Sequence, residues 1–360
     1  MKKTLLTLIF VFLAIILFAK REEYRREINR EFNVSANSQL SISNIYGNVN
    51  IIEGNEGKIV FKIEIKGEGK NAETAKEYAE GVNVDFTSNS NHVSAKTSLP
   101  KISCSNCGIS IDYVVVVPRS ATMDFNLKYG NLTLNDTPKP LTIAIMYGNV
   151  KANILENAKL DAKYGDVKFE KCDKLNLAIK YGDLNATSIN QADIDIAYGK
   201  IILGKCKDLL LKSRYTKLQF EEIASIKADS QYDKFTVKTV NEFTIATNYT
   251  TIAIDRLNGS FTANRFGYGN LTITDIANDF SKITIDNGAY SSIRLGLTEQ
   301  HNAKANISAG KYGSIRSGKI KLNNVVLSDA KNSLVGNIGK SENPKSEVTI
   351  SANYGNIYFQ

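Results

Sequence analysis

The chain has 360 residues, 42% hydrophobic and 23% charged, which excludes wholesale disorder and allows one long repetitive domain or two ordinary ones. It has two histidines, four cysteines, three methionines and no tryptophan, too few for a histidine-rich metal site, and neither His92 nor His301 has a nucleophile motif beside it. The net charge of +8 is interspersed with acidic residues and forms no nucleic-acid stripe.

The chain opens Met-Lys-Lys, followed by an apolar run from Leu5 to Ala19 broken only by Thr7. A run of this length suits a secretory signal core and is short for a spanning helix, which needs about 20 apolar residues. Residues 1–19 therefore read as a signal peptide cleaved near Ala19. No membrane span remains after cleavage, and without Lys2 and Lys3 the net charge is +6. No cysteine follows to carry a lipid. Residues 20–37 read as a polar linker. The protein is expected in the periplasm or at the cell surface.

Residues 38–120 hold a first repeat unit and an N-terminal cap. Tyr46-Gly47-Asn48 lies within the segment Ser41 to Ile52. Ile59, Phe61, Ile63 and Ile65 alternate as a half-buried strand. Asn71 is placed to cap a short helix over 72–80, in which Ala72, Ala75, Ala79 and Val82 step by 3, 4 and 3. Strands follow around Val84–Phe86, Val93–Ala95 and Ile109–Val117, stopped by Pro118. A solenoid end exposes unpaired strand edge, so this β-α-β-β segment is predicted to cover it. Cys104 and Cys107 stand in a polar loop with no second ligand pair nearby. They read as a local disulfide or two free thiols, not as a metal or redox centre.

From residue 121 to 360 the chain is ordered by tyrosine. Tyr129, Tyr147, Tyr164, Tyr181 and Tyr198 each precede a glycine, and Tyr215, Tyr232 and Tyr249 continue the series without it. From Tyr147 to Tyr249 the interval is 17 residues six times running. It then loosens through Tyr268, Tyr290, Tyr312 and Tyr354. Fixed periods of this kind mark stacked repeats.

Apolar residues recur six and four places before each tyrosine (Leu175 and Leu177) and three and five after it (Leu184 and Ala186). The alternation is that of strands with one face buried. Its parity changes at each tyrosine, so the chain turns a corner there. Gly130, Gly148, Gly165, Gly182 and Gly199 are predicted to supply the positive φ of that corner. Each unit then comprises a strand, a corner, a second strand and a return turn. A single unit buries too little to repay its own ordering, so only the array is stable. The fold class predicted is all-β: a parallel β-solenoid of 17-residue rungs. Its tyrosines stack in one column at about the strand spacing of ~4.8 Å.

Cys172 and Cys206 both fall eight places after a tyrosine, in a column otherwise filled by Leu155, Ile189, Ile223, Val240 and Leu257. They read as buried core residues two rungs apart, too far for a disulfide, which needs Cα atoms within about 7 Å. Outward Asp161, Asp195 and Asp229 recur on alternate rungs and read as a solvated face. Asp166 and Asp183 read as turn residues neutralised by Lys163 and Lys180. No catalytic, cofactor-binding or metal-ligating set emerges.

Ile45-Tyr46-Gly47-Asn48-Val49, the helix-bearing insert, Val115-Val116-Val117-Pro118 and the serial Tyr-Gly-Asn/Asp units resemble the exported bacterial "putative adhesin" β-strand-repeat family. The resemblance spans roughly residues 38 to 360 and implies an envelope β-solenoid with no assigned enzyme activity. The family is linked to autotransporter heads, but a C-terminal membrane barrel for self-transport is not expected here. Loss of glycine after Tyr215, Tyr232 and Tyr249 departs from the motif and predicts a reshaped corner. The expected function is non-catalytic, with stacked strand faces presented to a glycan or an envelope protein. A glycan-acting enzyme on the same scaffold, or a periplasmic sensor docking through its cap, are the alternatives.

Overall fold

A computed structural model of the protein describes residues 21–99, 106–298, 300–316, 318, 320, 322–327 and 332–359. The expected signal peptide and Cys104 lie outside the described residues. Among the described residues the fold is all-β apart from one helix, and its centre is a long parallel strand stack. Val167 pairs with Leu184, Leu184 with Ile201, and Ile201 with Leu218, each partner 17 residues further along the chain.

The strand Lys200–Arg214 shows how one unit is built. Ile201 and Leu203, then Cys206, then Leu209, Leu211 and Ser213 point inward. Between these runs lie two consecutive residues that are not buried, Gly204-Lys205 and Lys207-Asp208. The expected break into two strands and a return turn is corrected here. The chain bends at each doubled outward position, where Gly204 and Lys207 drop out of the pairing, but the parallel register resumes unchanged on either side, so no separate turn is needed. Only the tyrosine corner interrupts the strand. Beyond Val240 the register slips at two irregularities, and Ala246 pairs with Arg265, 19 residues on. These slips account for the longer interval to Tyr268.

At the N-terminal end, chain order and spatial order part. The strand Gln39–Ile45 pairs with Thr122–Lys128 on one side and with the later His92–Ser98 on the other. Val49–Gly54 likewise lies between Leu132–Leu134 and Gly108–Pro118. The helix spans Ala72–Glu80, and Asn71 Oδ1 accepts the Thr74 N–H at 2.8 Å. It lies so close to the sheet that a Cβ at Gly67 would sit 2.2 Å from the Ala75 carbonyl oxygen.

The polar linker expected at residues 20–37 is a second correction. Glu22–Asn33 is a strand, antiparallel to Lys58–Gly69 over its whole length. Tyr24, Ile28 and Phe32 pack on the core from one face. On that same alternation Arg26 donates from Nε to the Ala79 carbonyl at 2.9 Å, and from Nη2 to that of Val82, at the helix C-terminus where a cation is favoured. The outward residues pair across strands, as in Arg25–Glu64 at 2.7 Å.

The far end also departs from simple repeats. Ser346–Asn353 inserts between Lys282–Ala289 and Ala303–Ser308. Ser333–Ile338 then runs antiparallel to both Ala303–Ser308 and Leu322–Leu327, so this part of residues 121–360 is a closing hairpin and not further coil. His301 fixes the approach to it. Its Nδ1 accepts the Thr298 N–H at 2.8 Å and its Nε2 donates to the Ile276 carbonyl at 2.8 Å, a tautomer assigned from those partners.

Candidate functional site

The most extended surface feature is the tyrosine column. Tyr46, Tyr129, Tyr147, Tyr164, Tyr181 and Tyr198 lie in file with ring centroids 4.8–5.0 Å apart and planes within 9°. Tyr215, Tyr232, Tyr249, Tyr268 and Tyr290 continue it. Tyr354 then stacks on Tyr290, and Tyr312 on Tyr354, because the last strands insert between earlier ones. Each ring covers its neighbours' faces, so the exposed part is the edge and the hydroxyl. Tyr181 is 49% and Tyr198 50% exposed. No ladder hydroxyl has a hydrogen bond among the described residues.

The corner geometry corrects the role given to glycine. The positive φ belongs to the tyrosines, at 57° for Tyr147, Tyr164 and Tyr181, and not to the glycines that follow. A left-handed residue reverses the inward parity in one step, at a cost of roughly 1–2 kcal/mol for a side chain of L configuration. Each stacked aromatic pair returns about 0.5–1.5 kcal/mol, so the column offsets most of the strain it requires. The glycines are needed for space. A Cβ on Gly148, Gly165, Gly182 or Gly199 would lie 1.8–2.0 Å from the carbonyl oxygen of the preceding corner glycine, and Gly130 meets Gly47 in the same way.

The units differ at the next residue. Asn131 N–H donates to Asn48 Oδ1, Asn149 N–H to Asn131 Oδ1, Asp166 N–H to Asn149 Oδ1 and Asp183 N–H to Asp166 Oδ1, at 2.8–3.0 Å. These side chains thus serve as a hydrogen-bonding ladder of their own. The expected neutralisation by lysine is corrected: Lys163 lies 3.7 Å from Asp161 instead.

After Tyr215, Tyr232 and Tyr249 the corner residue is Thr216, Asp233 or Thr250, and all three are buried. The residue two before the tyrosine changes with it, from Ile145, Ala162, Ile179 and Ile196 to Ser213, Ser230 and Thr247. Together they form an internal polar cluster. Asp233 accepts from Thr216 N–H at 2.6 Å, Ser213 Oγ at 2.7 Å and Ser230 Oγ at 2.6 Å. Burial raises the Asp233 carboxyl above the usual carboxylate range, although these hydrogen bonds oppose the shift.

A groove of about 560 Å³ runs beside the ladder, where Tyr181, Tyr198 and Tyr215 meet Asp195, Lys212 and Arg214. Its charges are mixed. Asp195 is separated from Asp161 and from Asp229 by one intervening strand on each side, and Asp229 lies 3.7 Å from Arg265. The alternating carboxylates are therefore spread along one face, and two of them, Asp195 and Asp229, line the groove with Lys212 between them in register. Among the described residues there is no grouping of three or more His, Cys, Asp or Glu placed to hold a metal ion, and no helix is long and apolar enough to cross a membrane.

Cys172 and Cys206 are free and buried, with Ile189 paired between them. Burial pushes both thiols up to about 12. Cys107 is disulfide-bonded.

No family model matches the chain, and no curated protein matches it. Solved structures do. The chain is similar to a "putative cell adhesion protein" from Clostridium sporogenes, at 12% identity over 94% of this chain and 99% of that one, with a TM-score of 0.19. It is similar to a "putative adhesin" from Bacteroides fragilis at 14% identity, covering 75% and 97%, with a TM-score of 0.32. A "putative lipid binding protein" from Parabacteroides distasonis matches at 10% identity over 75% and 97%, with a TM-score of 0.27.

The internal polar cluster is the feature that sequence reasoning missed. Its signal was present: the apolar residue two before the tyrosine becomes a hydroxyl in the same units that lose glycine. Neither change is informative alone, since serine and threonine are ordinary outward residues of strands. Together they place a donor and an acceptor on one inward corner.

Proposed function

We propose that the protein is a non-catalytic rod of the cell envelope, exported to the periplasm or the cell surface. Each 17-residue unit forms one turn of its coil. The rod presents its stacked faces and tyrosine edge to a glycan or a protein partner. The observation that carries this reading is the uninterrupted file of half-exposed tyrosines whose hydroxyls have no partner among the described residues. Such an edge offers a row of donors and acceptors at a fixed repeat, backed by rings that cannot rotate away. Small polar ligands would meet few convergent groups there, whereas a polymer would meet many. The test is retention of envelope glycans and proteins on the purified exported chain, alongside an assay for degradation of wall polymers. Retention that falls when Tyr181, Tyr198 and Tyr215 are replaced by serine supports binding through the ladder. Release of fragments from wall polymers would overturn the non-catalytic reading.

A further inference from the structure

In a parallel stack, a charge repeated from unit to unit stands about 4.8 Å from its own copy, and like charges in register repel. Parts of the stack answer such charges with opposite ones. Lys238 lies 2.9 Å from Glu221, and Lys205 lies 2.8 Å from Glu222. The longest run of like charge in the regular stack is left unanswered. Lys200, Lys217 and Lys234 are register partners on three consecutive strands. Lys217 and Lys234 are exposed and Lys200 is half-buried. None of their ammonium groups has an ion pair or hydrogen bond among the described residues.

The corner is rebuilt at the units where this happens. At the same position in the preceding units, Asn131, Asn149 and Asp166 spend their side chains on the next backbone N–H. From Lys217 onward that N–H donates to a backbone carbonyl: Lys217 to Gly199, Lys234 to Thr216 and Thr251 to Asp233, at 3.0–3.1 Å. The side chains of Lys200, Lys217 and Lys234 are thereby released from structural duty. The next outward residues along the three strands, Ile202, Gln219 and Thr236, carry no charge. Asp183 holds the same position one unit earlier and marks one end of the column; Thr251 marks the other.

We infer that this column is a recognition ridge for a linear acidic glycan laid along the coil axis. An extended polyuronate bears one carboxylate per sugar, so several of its charges can lie along the lysine row at once. A small anion would engage one lysine and leave the others in repulsion. Single-stranded nucleic acid fits less well, because it is held by bases stacking on open aromatic faces and the ladder rings cover one another. The inference rests on the binding reading above and narrows its ligand.

The test uses the purified exported protein with immobilised polygalacturonate, its fully methyl-esterified uncharged form, and single-stranded DNA. The acidic polymer is expected to bind, the ester to bind far more weakly, and added salt to loosen the acidic complex. Replacing Lys200, Lys217 and Lys234 together by glutamine should weaken polygalacturonate binding about tenfold to a hundredfold. Circular dichroism should stay unchanged, and the thermal midpoint equal or higher, because a repulsion is removed. Full affinity in the triple variant, equal binding of acid and ester, or tighter binding of DNA than of polygalacturonate would each overturn the ridge. Equal binding of both glycans in wild type and variant would sink the ridge and leave glycan binding standing. Failure to bind either glycan would remove the ridge together with its glycan reading.

Discussion

The corners around Tyr147, Tyr164 and Tyr181 and those around Tyr215, Tyr232 and Tyr249 perform the same turn by different chemistry. In the first group the inward residues beside the corner, Ile145, Ala162 and Ile179, are apolar. Glycine lies against the glycine carbonyl of the preceding corner, and an Asn or Asp outside supplies the missing acceptor. In the second group the acceptor is the backbone itself, and the interior is polar, centred on Asp233. The tyrosine has the same left-handed backbone in both, with φ between 55° and 58°. What the stack keeps constant at this corner is thus the conformation of one residue, while its hydrogen bonds are rerouted between one unit and the next.

The sharpest break of that comparison is steric. Gly165→Ala places a methyl carbon 1.9 Å from the Gly148 carbonyl oxygen. A loss of about 3 kcal/mol is expected, at the upper end of overpacking costs. Thr216→Gly, in the other kind of corner, removes one hydroxyl contact and a buried methyl and should cost about 1–2 kcal/mol. Urea midpoints of the two variants measure the contrast.

Asp233→Ala comes next. It strands the Thr216 N–H and removes the acceptor shared by Ser213 and Ser230, for an expected loss of about 2–3 kcal/mol. The same group imposes a pH dependence. Its native carboxyl titrates above its unfolded value, so between the two values the native state holds more protons. Stability therefore falls as pH rises through that window and levels off above it. The window opens at the ordinary carboxylate value of 3.8 and closes at the raised native value. Denaturant titrations across this range should show the slope in the wild type and its absence in Asp233→Asn.

The conformational claim can be tested with Tyr181. Tyr181→Val keeps the left-handed strain and loses two stacked neighbours, for an expected loss of about 2–3 kcal/mol. Tyr181→Gly loses the same contacts but is free of the strain, so its loss should be smaller by about 1 kcal/mol. Equal midpoints for the two variants would show that the corner does not depend on the backbone conformation of this residue.

The smallest effect concerns the cysteines. Burial holds both thiols near 12, so at pH 8 neither Cys172 nor Cys206 should react with an aromatic disulfide reagent until denaturant is added. Counting thiols before and after unfolding checks this.

Much of the fold was legible because a β-stack writes its register into the sequence. The columns containing Leu184, Cys206 and Phe235 repeat at the pairing interval, and all are buried. The helix was legible from Asn71 and the spacing of its alanines. The strand Glu22–Asn33 was not, since its three apolar residues are outnumbered by charges whose partners come from Lys58–Gly69. Nor was the order of the last tyrosines. Intervals alone place Tyr312 after Tyr290, yet Tyr354 stands between them.

The periodic part of this protein was determined by local sequence, because each unit meets a copy of itself at a constant separation and like positions must fit like positions. The two ends, the left-handed tyrosines and the internal Asp233 cluster were decided only in three dimensions. A terminal layer has no copy beyond it and must recruit strands from elsewhere in the chain. The corner's strain is tolerable only once neighbouring rings are stacked on both sides.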